Sequence, residues 1–359
     1  MSTIPASSVH ATPPLHADQL RAQAAELVDK WRVEHRVPGL TVSIRTAGQP
    51  VLDVASGVAH LSAGTRIRSD DRMWAGSITK TMTAAAVLRL AEQGKLGLSD
   101  KLSRWIPEIP EAGRITLRML LKHTAGVPNI TESAEHRQHL DERPLSPVTK
   151  AELIQTIASL PRERKPGTRF QYSNSHYNLL GAVIERATGR PYEDVVRDEV
   201  FTAADAGNTF IDTGRGDSPV AVHAYSNFGT GLGQTDHHGI YGPGSYLRSI
   251  VGAAGGLVTT APSLARLGES LLWSKGEGQT PASRKLMLGE GLGIFKTNTT
   301  VAGHVQNLFG HSGALVGASA YLAHVPETEH TVAIMANSDN EDVAELVGPL
   351  LSLVANVRS

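Results

Sequence analysis

The chain has 359 residues, 40% of them hydrophobic, and its 34 Lys+Arg against 35 Asp+Glu leave a formal net charge of -1. Such a composition supports a sizeable core and excludes disorder as the default state. It also lacks the basic excess that binding a phosphate backbone requires, so no nucleic-acid partner is expected. Cysteine is absent, which removes disulfides, thiolate metal sites and cysteine nucleophiles together. No run approaches the roughly 20 apolar residues of a membrane helix, so no membrane partner is expected. Met1–Pro14 is rich in Ser, Thr, Ala and Pro and lacks the charge and apolar centre of a secretory signal. A cytoplasmic location is expected for the chain as written, and export if a leader has been trimmed from it.

In chain order, residues 1–16 read as a flexible N-terminus. Ala17–Val33 reads as a helix, with Leu20, Ala24, Leu27, Val28 and Trp31 at helical spacing and Pro38-Gly39 beyond its end. Leu40–Ile44 and Val51–Ala55 follow as strands around a turn at Gly48-Gln49-Pro50. The texture then changes: Ser77–Glu92, Thr116–Lys122, Lys150–Leu160, Asn178–Ala187 and Ser263–Trp273 read as helices. Glu132–Pro147 and Tyr225–Ser249 read as loops, and the glycine runs Gly229–Gly233 and Gly252–Gly256 as loops or close-packing points. Strand texture returns at Val305–Phe309, Leu315–His324 and Thr331–Ala336, and Glu341–Val357 closes as a helix after a turn at Asn337–Asn340. Strands at both ends with helices between predict an α/β protein whose sheet is built from both termini. The expected division is an α/β domain from 17–75 and 300–359, with a mostly helical domain, 76–299, inserted and the active site at their interface.

Among nucleophile motifs, neither the G-x-S-x-G elbow nor H-E-x-x-H occurs, and the glycine runs fit neither a dinucleotide nor a Walker pattern. What stands out is Ser77-Ile78-Thr79-Lys80 at the start of the Ala-rich helix. Residues three apart share a helix face, so the amine can reach the hydroxyl, and free N–H groups at a helix start favour an oxyanion. Lys80 serves as the base only if burial or nearby positive charge lowers its pKa. The plain alternative is an N-capping serine with an exposed lysine. Two further elements bear on the choice. Tyr172-Ser173-Asn174, on a loop before the next helix, sets a phenol and a carboxamide side by side, suited to proton relay and to binding a substrate carbonyl. His311-Ser312-Gly313, where one strand ends and another begins, offers a cation or hydrogen-bond donor and a glycine that admits the substrate backbone.

With these three elements in order, the chain resembles the serine β-lactamase-like superfamily, the group of class C β-lactamases, DD-carboxypeptidases, D-aminopeptidases and family VIII esterases. Ser77-x-x-Lys80 resembles the first motif, Tyr172-x-Asn174 the second and His311-x-Gly313 the third; Ile115–Gly126, Ala253–Leu257 and Met335-Ala336-Asn337 also look familial. The resemblance implies the β-lactamase/transpeptidase-like fold and an acyl-enzyme on Ser77, with Lys80 and Tyr172 managing the proton. It further implies an oxyanion site between the N–H groups of Ser77 and Ala314, substrate contacts from Asn174, His311, Ser312 and Gly313, and no cofactor. Histidine at 311 resembles the DD-carboxypeptidase and D-aminopeptidase branch more than the β-lactamases, which carry lysine there.

The expected activity is therefore a D-amino-acid-type peptidase or amidase acting on small molecules or short peptides. A carboxylesterase or acyltransferase is the alternative, followed by a β-lactamase or a non-catalytic penicillin-binding sensor. Tyr225-Ser226-Asn227 and His237-His238-Gly239 are second occurrences of the later motifs in a Gly-rich stretch. The histidine pair lacks a third ligand at metal spacing, so no metal is expected. His123 reads as structural, and Trp74 fits a pocket wall or the core equally.

Overall fold

The computed structural model describes residues 17–162, 164–215, 219–226, 234–339 and 341–355. The expected flexible N-terminus and the Gly229–Gly233 run lie outside the described residues. The fold is built on one antiparallel sheet of seven strands. In chain order these are β1 (Gly39–Thr46), β2 (Gln49–His60), β3 (Thr65–Arg66), β4 (Phe295–Val301), β5 (His304–Leu315), β6 (Ala318–Val325) and β7 (His330–Ala336). Their spatial order is β3-β2-β1-β7-β6-β5-β4, so the first strand of the chain pairs with the last, Leu40 opposite Ala336 and Ile44 opposite Val332.

The central strands are buried on both faces, β6 and β7 without an exception, because helices cover each side. Helices α1 (Ala17–Glu34) and α6 (Val347–Ala355) share one core with Leu40, Val42, Ile44, Val332 and Ile334. Helix α5 (Ala261–Leu272) packs on β1, β6 and β7 and belongs to the second, larger core. That core continues into the helical region around α2 (Thr79–Glu92), where every residue from Thr79 to Leu88 is buried. Helices α3 (Asn174–Thr188) and α4 (Tyr246–Gly255) pack on α2 and on each other.

The structure departs from the sequence reading at informative places. β4, FKTNTTV, is too polar to read as a strand, yet it forms the sheet edge beside β5, where polar side chains face solvent. The expected Leu315–His324 strand is interrupted at Gly317, whose φ of +74° turns β5 into β6. His311-Ser312-Gly313 consequently sits inside β5 and not between strands. Two expected loops contain helices: Glu132–Pro147 holds Ala134–Glu142, and Tyr225–Ser249 runs into α4. The Gly252–Gly256 run lies at the C-terminal end of α4, where Gly252 alone leaves helical geometry. The closing helix begins as a 3-10 turn, Val343–Leu346. Helix α2 starts at Thr79, leaving Ser77 in the turn before it.

One backbone contact joins sheet and helices. β4 pairs with β5 only as far as Gly310, so beyond it the edge of β5 is open to the Ala75–Ser77 turn. A Cβ on Gly313 would lie 1.9 Å from the Ala75 carbonyl oxygen, and one on Gly76, already at φ +50°, 2.7 Å from Ala314 N. No side chain fits at either position. Gly313→Ala is therefore expected to push β5 off the turn, at a cost of about 1–3 kcal/mol. The check is a lowered midpoint in thermal unfolding together with slower labelling of Ser77 by acylating reagents.

Candidate active site

Ser77 follows Gly76 in a tight turn whose backbone bridges Gly256, and Ala75 N donates to Leu257 O at 2.9 Å. Ser77 N makes no backbone hydrogen bond among the described residues, while the packing of Gly76 on β5 brings Ala314 N to the same turn. Ser77 N and Ala314 N, from separate elements, thus lie at the same turn.

Lys80, the second residue of α2, is fully buried. Its Nζ lies 2.8 Å from Ser77 Oγ, 2.8 Å from Asn174 Oδ1 and 2.7 Å from the Ala254 carbonyl oxygen. Burial holds its pKa well below the ordinary lysine value, and among the described residues no carboxylate forms an ion pair with it. In the neutral form that burial favours, the amine has two N–H groups and one lone pair. Carbonyl and carboxamide oxygens only accept, so Ala254 and Asn174 take the two hydrogens and the lone pair remains for the Ser77 O–H, the one partner able to donate. The plain alternative of a capping serine and an exposed lysine is overturned: α2 has no side-chain cap.

Tyr172 lies against this pair. Lys80 Nζ stands 4.9 Å from the centre of its ring. Burial pushes the phenol up to about 12, with the hydrogen bond to Ser77 pulling the other way. It is accordingly a protonated donor at neutral pH. His123 sets its position. At φ +55°, His123 stacks on the Tyr172 ring with centroids 4.5 Å apart. Its carbonyl accepts from Gln171 N at 2.7 Å and its Nδ1 from Ser173 N at 3.2 Å, so both neighbours of Tyr172 are tied to one residue.

Asn174 is the first residue of α3 and not part of a loop. Its carboxamide is engaged at both ends, Oδ1 with Lys80 and Nδ2 with Thr131 Oγ1 at 2.8 Å. It therefore orients the amine, an arrangement the sequence reading, which reserved it for substrate, did not anticipate. Of the two readings of His311, a cation or a hydrogen-bond donor, the first does not hold. It is buried, and desolvation followed by Lys80 drives its pKa down to about 3. Its Nδ1 lies 2.5 Å from Ser312 O, which only accepts, so the proton is on Nδ1 and Nε2 is a lone-pair acceptor. Ser312 and Ala314 are exposed on β5, whereas Gly313 is buried against Ala75.

Two surfaces flank Ser77. One is a cavity of about 200 Å³ walled by Leu247, Ile250, Val251, Leu315 and Val316, with Thr131 and Asn174 at its edge. The other is aromatic: Phe295 packs 4.9 Å from His311 and 6.4 Å from Tyr172, and Phe170, largely exposed, meets Phe295 edge-on at 6.2 Å. Trp74 is core, stacked on Tyr241 at 5.2 Å. Tyr225 is also buried and its hydroxyl accepts from Leu61 N at 2.9 Å, while its motif partner Asn227 lies outside the described residues. His237 bonds Ser226. Sequence reasoning missed Thr131 and Phe295, which no local signal marks. His123 and Ala254 lie in two of the three further stretches that look familial, Ile115–Gly126 and Ala253–Leu257, although their roles are contacts made in three dimensions.

A family model described as Beta-lactamase matches residues 18–355. The chain is 25% identical to a D-stereospecific amidohydrolase from Streptomyces sp., with a TM-score of 0.78 over 90% of this chain and 96% of that one. It is 29% identical over 182 residues to Penicillin-binding protein 4 of Amycolatopsis lactamdurans, covering 49% of this chain and 45% of the relative. Esterase EstB of Burkholderia gladioli is 33% identical over 188 residues, covering 49% of this chain and 48% of the esterase. The matches thus span about half the length of these two curated relatives.

Buried neutral histidines carry a stability consequence. Burial lowers His123 to about 2, His176 and His311 to about 3 and His324 to about 4. Below the unfolded value near 6.5, the unfolded chain binds protons that the folded one refuses, so their stabilisation is complete above that value and is lost as pH falls toward the folded values. Thermal midpoints are expected to drop steeply from about pH 6.5 toward 4, less steeply in His324→Gln; an unchanged slope in that variant would contradict the assignment.

Proposed function

Because the chain belongs to the beta-lactamase family, we propose that it is a serine hydrolase acting through an acyl-enzyme on amide or ester bonds of small substrates. The observation that carries this reading is the buried Lys80 amine, with two partners that only accept and the Ser77 hydroxyl as the third. In this reading Lys80 Nζ takes the proton of Ser77 Oγ as the oxygen attacks the substrate carbonyl carbon. The N–H groups of Ser77 and Ala314 hold the oxyanion. The carbon–nitrogen or carbon–oxygen bond to the leaving group then breaks, and that group receives a proton through the Tyr172 hydroxyl. Water enters, its proton drawn to the same groups, and cleaves the Ser77 ester. His311, neutral, accepts a hydrogen bond from the substrate.

The two surfaces narrow the substrate. The lining of the aliphatic cavity holds no Lys or Arg, and burial shifts its one histidine, His136, toward the neutral form as it does His311 beside the aromatic wall. A substrate carboxylate finds no countercharge there, and desolvating one without a partner is costly. Amides and esters with apolar acyl groups and uncharged leaving groups are favoured over peptides ending in a free carboxylate and over β-lactams. The amidohydrolase likeness, which spans nearly the full length of both chains, supports a D-amino-acid-type amidase. An esterase or acyltransferase is the second reading, favoured by the same uncharged pocket. Lys80 and Tyr172 are both poised on Ser77, which supports turnover over a binding-only role.

Two outcomes follow. Ser77→Ala is expected to abolish covalent labelling by acylating reagents, and Lys80→Met to slow acylation about 10²–10⁴-fold. The pH profile of kcat/KM should fall on the acid side as the depressed Lys80 amine gains its proton, with no alkaline limb below the Tyr172 value of about 12; near-normal acylation in Lys80→Met would remove the lysine from the chemistry. Across paired substrates, D-amino-acid amides and neutral esters should exceed their carboxylate-terminated counterparts in kcat/KM by about tenfold or more, a factor worth ~1.4 kcal/mol. His311→Lys should narrow that gap; equal rates on both sets would contradict the uncharged site.

A further inference from the structure

Away from Ser77, three side chains with metal-binding chemistry meet that no sequence motif connects. His60 is the last residue of β2, Asp236 belongs to a short antiparallel pair, Tyr225–Ser226 with Thr235–Asp236, and His223 lies two residues before it. One ligand atom from each lies within 4.8 Å of the other two. His223 is fixed beside β2 by its backbone, its N donating to Ala59 O at 2.9 Å, and its Nδ1 lies 2.6 Å from Asp236 Oδ2. His60 stacks on one face of the His223 ring, centroids 3.7 Å apart at 12°, and His238 on the other at 4.1 Å and 11°. Ser62 Oγ lies 2.9 Å from His60 Nε2.

We propose that His60, His223 and Asp236 form a binding site for a divalent transition-metal cation, zinc by the chemistry of the set. Two imidazole nitrogens and a carboxylate oxygen are an ordinary zinc ligand set, with a fourth position left for water. Parallel rings cannot both aim in-plane lone pairs at one ion. Binding therefore requires His60 to turn about its Cβ–Cγ bond out of the stack and present a nitrogen edge-on. The cation enters between His223 Nδ1 and Asp236 Oδ2 with one nitrogen–metal and one oxygen–metal bond, and the proton displaced from Nδ1 is carried by the other ring nitrogen, Nε2, so that His223 binds as neutral imidazole and Asp236 as carboxylate. No electron transfer is involved.

The site clips the Tyr225–Asp236 pair to the end of β2. Tyr225 N donates to Gly317 O at 3.1 Å and its hydroxyl receives Leu61 N at 2.9 Å. Gly317 is the turn that follows β5, three residues beyond Ala314, and a Cβ there would fall 2.6 Å from Tyr225 N. A bound ion therefore stiffens the segment that supports this turn, whatever the reaction at Ser77.

The test is calorimetric titration of the full chain, free of any affinity tag, with Zn²⁺ alone, alongside His60→Gln, His223→Ala and Asp236→Asn. Wild type should bind one equivalent saturably and unfold at a higher temperature with zinc than without. Each variant should bind at least about tenfold more weakly and lose the zinc-dependent rise. The near-isosteric Asp236→Asn, with its fold checked by circular dichroism, separates loss of a ligand from loss of structure. Absence of saturable binding in wild type, or binding that all three substitutions leave unchanged, overturns the site.

Discussion

An amine sealed from water without a carboxylate beside it is the constraint around which this molecule is arranged. Lys80 is fully buried, and desolvation is the one cause that depresses its pKa. Burying it as an ammonium is costly, so burial favours its neutral form, and three oxygens surround it. Each oxygen comes from a different element: Ser77 from the turn before α2, Asn174 from the first residue of α3, Ala254 from the kinked end of α4. The three must assemble together, since removing any of them leaves a buried polar group unpaired. The helical region is thus organised around the base as much as around its hydrophobic core.

A second constraint couples that region to the sheet. Strand β5 reaches the Ala75–Ser77 turn at backbone distance, permitted by glycine at 76 and 313. Across the turn Gly76 bridges Gly256, at the end of α4, where a Cβ would fall 2.8 Å from Gly252 O. These contacts put Ala314 N, from a sheet completed only by the last third of the chain, next to a serine from its first quarter. Because β4 ends its pairing at Gly310, the edge of β5 that would otherwise be occupied by a neighbouring strand is free for this purpose.

The electrostatics of the pocket follow from burial more than from pairing. His311, His123 and His176 are all held neutral by desolvation. His123 illustrates how a residue remote from the reacting atoms matters to them: its left-handed backbone, its ring stacked on Tyr172 and its bonds to Gln171 and Ser173 hold the phenol in one orientation. Uncharged imidazoles, aromatic rings and aliphatic walls line the reacting centre, and the preference proposed above for substrates without a carboxylate rests on them.

Some of this was legible in the amino-acid order alone. Hydrophobic periodicity indicated a sheet built from both ends of the chain, and Ser77-x-x-Lys80 could be read because three residues of helix bring hydroxyl and amine together by local geometry. The polar edge strand β4 and the helical part of Glu132–Pro147 were not, because neighbouring elements and not their own composition hold them in place. The chemistry of individual groups was less legible still. Whether His311 is a cation, which way Asn174 turns its carboxamide, and whether Lys80 carries a charge depend on burial and on partners 94 or 174 residues away in the chain. Sequence determined which reactive groups are present and which local pairs can touch. Tertiary packing decided their protonation, their orientation and the gathering of His60, His223 and Asp236, because dielectric and distance are properties of the folded interior and surface, not of the order of residues.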